Sequence, residues 1–371
     1  MVDLLKGMVK IECLFPINRL NFPVFCFIMQ VDQIYRGLGI LTLYSVISVL
    51  ANKSVFFIGE RGTGKTRTIN SCPQIKGILY SKWDTFTYQE LSNYCKPFVD
   101  SSGVVKNKHL VFKVEDFATF SDYHKELFLT VGSKLISDGS FTHLVSISPF
   151  LNIQNCRLTI LVCIQPRIYN KLCLGYTEWD ALSCDRFTKF IVLNPLRQKT
   201  FDVPLVPTLP RKISHQPTLD EDKVKLDALI TMFKGHVSEG RATLYARDYA
   251  TAMARFLGAD TVQQWHVDLF YKLFHPYLDS FSVLQKAEDL DSPVIVSTGN
   301  MKLLGEIGKS MDYVEKEKLA KDLYVDKRSI ERHAKELLEA GLIEKPSPKA
   351  GKYRLSKHLR EFFKWYGGLL S

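Results

Sequence analysis

Short, uniformly apolar runs separated by longer amphipathic ones set the pattern of the first two hundred residues. Ser54–Ile58 (SVFFI), Leu110–Val114, Val145–Ile147, Leu158–Ile164 and Phe190–Leu193 are too short for buried helices, and each predicts a strand covered on both faces. Helix-like polar segments separate most of them, and strands alternating with helices predict a parallel sheet, hence an α/β fold class. From Val31 to Leu50 apolar residues recur at helical spacing, and Ala51–Lys53 ends that helix. Beyond Pro195 the pattern changes. Pro204, Pro207, Pro210 and Pro217, with Lys and Arg between them, predict a linker over 200–218. Three helical stretches follow, near 219–236, 243–257 and 261–275. Further helices are predicted over 301–308, 315–323 and 327–340, then two strands, Leu342–Lys345 and Gly351–Leu355.

Composition narrows the class. A chain of 371 residues with 46% apolar and 24% charged residues is an ordinary globular protein of two or three domains. Mean hydropathy is −0.04, and no run of about 18 apolar residues occurs, which excludes a multi-span membrane protein. The eight cysteines all precede residue 185 and none forms C-x-x-C, against a zinc ribbon or a thioredoxin motif. With no secretory pattern, they are expected to be reduced, mostly buried thiols of a cytoplasmic protein. Phe15, Phe22, Phe25 and Phe27, broken by Pro16, Asn18, Arg19, Asn21 and Pro23, set residues 1–28 apart as an expected loosely attached extension, with the first domain starting at Met29.

The strongest chemical signal is Gly59-Glu60-Arg61-Gly62-Thr63-Gly64-Lys65-Thr66, directly after the SVFFI run. It fits G-x-x-x-x-G-K-[ST] at every fixed position. Glycines let successive amides turn toward phosphates, the lysine reaches the β- and γ-phosphates, and the hydroxyl completes a Mg²⁺ shell. Such a loop needs an acid at the end of a nearby strand, and Glu115-Asp116 follows Leu110–Val114. Either carboxylate can hold the metal, with the other as base. ATP and Mg²⁺ are the expected cofactors.

The chain over about residues 30–284 resembles the AAA+ superfamily of ATPases, in its MoxR-like, minichromosome-maintenance-like and archaeal origin-recognition-like branches. The resemblance implies a nucleotide-binding core over 29–199 and a helical lid over 219–296. It also implies roles for single residues: Gln165, after the Leu158–Ile164 strand, as the polar residue between acid and γ-phosphate; Arg186, in Leu182-Ser183-Cys184-Asp185-Arg186-Phe187, facing a neighbouring subunit's nucleotide; and Arg247, with Arg241 as alternative, as the lid arginine. The family's usual order, Asp for Mg²⁺ and then Glu for water, is reversed here, so the resemblance makes Glu115 the metal acid by position and leaves the shorter Asp116 to position water, which predicts slow turnover. The lid motif lacks its proline.

Residues 297–371 resemble a prokaryotic winged helix-turn-helix. Asp326 is the expected cap of the third helix, whose Ile330, Ala334, Leu337 and Leu338 share one face, and Gly341 ends it. The resemblance places that helix in a DNA major groove, with Lys327, Arg328, Ser329, Arg332 and His333 at base edges and Lys335 nearer the backbone. Lys345, Lys349, Lys352 and Arg354 would meet phosphates from the wing. The block holds sixteen Lys/Arg against eleven Asp/Glu, half of the net charge of +10 in a fifth of the chain. The expected partners are double-stranded DNA, further copies of the chain in a ring or filament, and replication proteins. Three functions fit: an ATPase that remodels, loads or unwinds DNA; an ATP-gated DNA-binding initiator that hydrolyses little; and a MoxR-type chaperone.

Overall fold

The computed structural model describes residues 22–32, 37–143, 151–175, 185–193, 207, 209, 213, 216–286 and 295–369. The expected strand at Val145–Ile147, most of the 200–218 linker and the Leu182–Cys184 part of the arginine turn lie outside the described residues. Among the described residues, no helix is long and apolar enough to cross a membrane.

The core is a five-stranded, all-parallel sheet. Its strands are β1 (Ser54–Ile58), β2 (Ile78–Trp83), β4 (His109–Val114), β7 (Arg157–Ile164) and β8 (Phe187–Ile191), in the order β2-β4-β7-β1-β8. Thus β7 lies between the strand that feeds the glycine-rich loop and the strand that ends at Glu115. A small second sheet joins β3 (Val105–Lys106), β5 (Phe141–His143) and β6 (Leu151–Gln154). Uniform burial of β1 and β8 accounts for their unbroken apolar sequence, because helices cover both faces. On one face Phe57 and Phe190 pack on Tyr44 of α2 (Gly39–Ala51). On the other, Phe56 meets Tyr169 of α6 (Pro166–Gly175). α4 (Tyr88–Cys95) and α5 (Asp122–Asp138) join this layer, Tyr94 against Phe112 and Gly132 beside Ile160, whereas α3 (Lys65–Asn70) packs on α2.

Two expectations about the chain's first fifty residues change. The proposed break at residue 28 falls inside α1 (Phe22–Asp32), whose Val24, Phe25, Phe27, Ile28 and Val31 are buried. Phe27 packs edge-on against Phe256, and Phe25 against Trp365, so this segment belongs to the core. The single helix expected over Val31–Leu50 is two, because Asp32 accepts the N–H groups of Leu38 and Gly39 and starts α2 afresh.

The all-α region comprises α7 (Asp227–Lys234), α8 (Glu239–Phe256) and α9 (Gln264–Leu284). α9 continues through Pro276, past its expected end at 275. The proline forfeits one helical hydrogen bond, but Tyr277, Leu278, Phe281 and Leu284 beyond it are all buried. α8 is fixed to the sheet by a buried hydroxyl cluster: Tyr249 lies 3.1 Å from the Tyr44 hydroxyl, 3.2 Å from Ser48 Oγ and 3.2 Å from Thr188 Oγ1. These helices therefore pack on α2 and β8.

After the hairpin strands β9 (Gln285–Lys286) and β10 (Ile295–Val296), the last block contains α10 (Thr298–Gly308), β11 (Val314–Glu315), α11 (Lys316–Leu323), α12 (Lys327–Glu339), β12 (Ile343–Glu344), β13 (Lys352–Leu355) and α13 (Lys357–Leu369). The three strands form an antiparallel sheet in the order β11-β13-β12. Asp326 caps α12 by accepting the Ser329 N–H at 2.7 Å. β11 and α13 were not among the expected elements. α13 docks the block on the core through Phe362 and Phe363 against Tyr277.

Candidate functional site

The glycine-rich loop runs from the end of β1 into α3. Gly62 and Gly64 adopt φ of 78° and 94°, a left-handed conformation that side chains resist. Space confirms the requirement: a Cβ on Gly64 would lie 2.7 Å from Leu38 Cδ2, and one on Gly59 would lie 3.0 Å from Val192 Cβ. The loop closes on itself, with Thr63 Oγ1 donating to the Glu60 carbonyl at 2.9 Å. The Lys65 ammonium is buried and donates to the carbonyls of Gly59 at 2.6 Å and Glu60 at 2.8 Å. Burial pushes its pKa down, opposed by charge at Cys163, Glu60 and Asp116. A buried cation held only by loop carbonyls suits a polyphosphate, and the first amides of α3 have no intrahelical acceptor. Glu60, Arg61, Gly62, Thr63 and Gly64 thus form the cradle that Lys65 and Thr66 close.

The sheet brings the acid pair to the same edge. β4 ends beside β7 with Val114 opposite Val162, and β7 ends beside β1 with Ile164 opposite Ile58. Glu115, Asp116 and Gln165 therefore emerge next to Gly59. Thr66 Oγ1 faces the Glu115 backbone oxygen at 3.4 Å. The Glu115 carboxylate pairs with Lys82 at 2.8 Å, a partner that sequence reading missed because β2 carried no chemical signal. Exposed Asp116 accepts the Ala118 N–H at 3.0 Å, which orients its carboxylate. No cluster of three or more His, Cys, Asp or Glu suited to a metal occurs among the described residues. The residues do fit Mg²⁺ carried in on phosphate oxygens, with Thr66 and one carboxylate of the pair as protein ligands.

The arginines lie elsewhere. Arg186 directly precedes β8, whose first residue pairs with Ser54, so it sits at the sheet's amino end, one strand length from its own loop. Its backbone oxygen accepts the Tyr245 hydroxyl at 2.8 Å, and Arg241 beside it pairs with Asp185 at 3.1 Å. Arg247 points to solvent and pairs with Glu221 at 2.8 Å, while adjacent Asp248 pairs with Lys53 at 2.6 Å. Neither Arg241 nor Arg247 is brought to the loop of this chain, because the hydroxyl cluster fixes α8 against the opposite end of the sheet.

What borders the loop instead is the C-terminal block. A cleft of about 410 Å³ lies between Glu60, Arg61 and Thr63 on one side and α10 on the other. No local signal in the sequence marks this, since α10 follows the loop by well over two hundred residues.

In that block, the side chains expected at DNA sort into two groups. Arg328 and Arg332 are exposed near the start of α12, and Tyr324, in the turn before it, is 94% exposed with φ 55°. Lys327 pairs with Glu317 at 2.9 Å, Lys352 with Glu315 at 3.0 Å, Arg354 with Glu344 at 2.6 Å, and Lys335 lies 3.9 Å from Glu339. Ser329 is half-buried at the capped end of the helix. His333 turns inward: its Nδ1 lies 2.7 Å from Asn300 Oδ1, and its ring fills the space that a Cβ on Gly299 would need. No family model matches this chain, and no curated protein matches it.

Proposed function

We propose that the protein is an ATP-binding, Mg²⁺-dependent nucleoside triphosphatase of the AAA+ kind that binds duplex DNA through residues 297–371, read as a winged helix-turn-helix. The observation that carries the reading is the convergence at one sheet edge of the complete loop, its buried Lys65, the Glu115-Asp116 pair and Gln165. The strand order supports it, since β7 separates the loop strand from the acid strand and so presents Gln165 between the two.

In this reading the chain's own groups do electrostatic and positioning work. Lys65 leaves the carbonyls of Gly59 and Glu60 for the β- and γ-phosphate oxygens and compensates their charge. Thr66 and Glu115 would hold Mg²⁺, which would supply neutralisation of phosphate charge. Releasing Glu115 for this role means breaking its pair with Lys82. Asp116, already aimed by the Ala118 amide, orients the attacking water together with Gln165. Arg186 completes the site of an adjacent copy in a ring or filament. Exposed Arg328 and Arg332 support a DNA-facing role for α12 better than a purely protein-holding one.

One pair of titrations tests the reading. Lys65→Ala is expected to lower ATP affinity at least ~100-fold, because triphosphate charge then goes uncompensated. It should leave duplex DNA binding in place, whereas Arg328→Ala with Arg332→Ala should reverse that pattern and flatten the salt dependence of DNA affinity. Unchanged ATP affinity in Lys65→Ala would reject the nucleotide site, and unchanged DNA affinity in the arginine variant would reject the DNA face.

A further inference from the structure

The C-terminal block does more than hang beside the core. We infer that α10 forms the second wall of the nucleotide site, and that the base and ribose of a nucleoside 5′-triphosphate lie in the cleft between it and the loop. This rests on the nucleotide reading above and adds which part of the chain encloses the non-phosphate half of the ligand.

Three observations point there. The cleft opens from the phosphate-binding loop itself, sharing Glu60, Arg61 and Thr63 with it, and its volume of about 410 Å³ falls in the ~300–1,000 Å³ range of small-molecule sites. Its interior is largely apolar, with Val192, Leu304 and Phe363 among the lining side chains, as a base needs. Polar recognition comes from the rim: Arg61 and Lys302 are exposed and have no carboxylate partner among the described residues, whereas Lys309 is paired with Glu306.

The glycines of α10 supply the third. Glycine within a helix costs stability, so each calls for a reason. Gly299 has one inside the fold, since a Cβ there would strike the His333 ring at 2.2 Å. Gly305 has none: a Cβ at that position meets nothing within 4 Å. It is exposed and lines the cleft. A bare patch of helix backbone facing a cavity is what close approach of a ligand requires. The same geometry makes the position testable, because an added Cβ meets nothing and the position lines the cleft, so a larger side chain there competes for the space assigned to the base.

The experiment is titration of the full chain with ATP and, separately, with inorganic tripolyphosphate, which engages the loop alone. Wild type is expected to bind ATP at least tenfold more tightly than tripolyphosphate. Gly305→Trp should erase that preference by weakening ATP at least tenfold while tripolyphosphate binding stays the same. Gly305→Leu, the better helix former, should show a smaller loss in the same direction, and thermal melts of both variants should match or exceed wild type. Equal affinities of wild type for the two ligands, or undiminished ATP affinity in Gly305→Trp, would overturn the inference. Lys65→Ala separates the failures. If it abolishes tripolyphosphate binding while Gly305→Trp leaves ATP untouched, the loop reading stands and the α10 wall falls; if it changes neither ligand, the nucleotide reading itself falls.

Discussion

Two sets of cations at opposite ends of the parallel sheet are handled in opposite ways. At the carboxyl end, Lys65, Arg61 and Lys302 have no carboxylate partner among the described residues, and Lys65 leans on backbone carbonyls. At the amino end, Lys53, Arg241 and Arg247 are each matched to an acid: Asp248, Asp185 and Glu221. The cations beside the loop and cleft are left for a ligand to neutralise, although Lys82 at the same end is paired with Glu115, while the three named at the amino end are already satisfied. An arginine at the amino end thus serves its own chain structurally and can reach a triphosphate only across an interface between copies.

The largest effect that would test this contrast is on turnover. Asp116→Asn should leave ATP binding intact and cut hydrolysis ~100-fold or more, the scale of a lost general base. Arg186→Ala should lose comparable activity through assembly. Mixing the two variants should restore part of it, since each supplies what its neighbour lacks. Full activity in Arg186→Ala alone would confine that arginine to the structural role of its end of the sheet.

An intermediate effect concerns the support of the loop from behind. Asp32 holds the amides of Leu38 and Gly39, and Leu38 touches Gly64. Burial pushes the Asp32 carboxyl up to about 7, against hydrogen bonds from Tyr366 and the backbone of residues 37–39. A carboxyl whose folded pKa exceeds its unfolded value contributes stability that is fully present below about pH 4 and lost as pH rises through 7. Asp32→Asn, which keeps an acceptor for both amides, should remove this slope and melt higher than wild type at pH 8, by up to about 4 kcal/mol. A melting curve that parallels wild type from pH 4 to 8 would show that Asp32 stays ionised.

The smallest effect belongs to Arg247→Gln. Its pair with Glu221 is half exposed, and such pairs contribute about 0–1 kcal/mol. Stability should fall by no more than that, and ATP affinity should not change. A drop in ATP affinity would mean that α8 leaves the amino end of the sheet when nucleotide binds.

What was legible in the sequence follows from how local each determinant is. The loop is eight contiguous residues, and Ser54–Ile58 and Arg157–Ile164 are apolar because both faces are covered; such segments declare themselves. β2 escaped notice because Ile78–Lys82 is only partly buried at the sheet's edge, so Ser81 and Lys82 interrupt its pattern. His333 lies three residues after Ile330 and four before Leu337, so helical spacing sets it beside the buried face; its polar type hid this, and its contact with Asn300, 33 residues earlier, shows that it turns inward. The cleft beside the loop was least legible of all. It exists because α13 docks on α1 and α9 through aromatic contacts such as Phe25 with Trp365, and no window of sequence contains both partners.

The bond from the Ile40 amide to the Tyr366 hydroxyl spans 326 residues, which bears on how the protein is made. On a ribosome adding ~5–20 residues per second, Ile40 waits roughly 15–65 s for that partner to be synthesised. Through this interval the face of Phe25 that α13 will cover stands open on a growing chain, joined by that of Tyr277 once it is made. The first turn of α2, against which the glycine-rich loop rests, therefore gains its bond to Tyr366 only after α13 has been made.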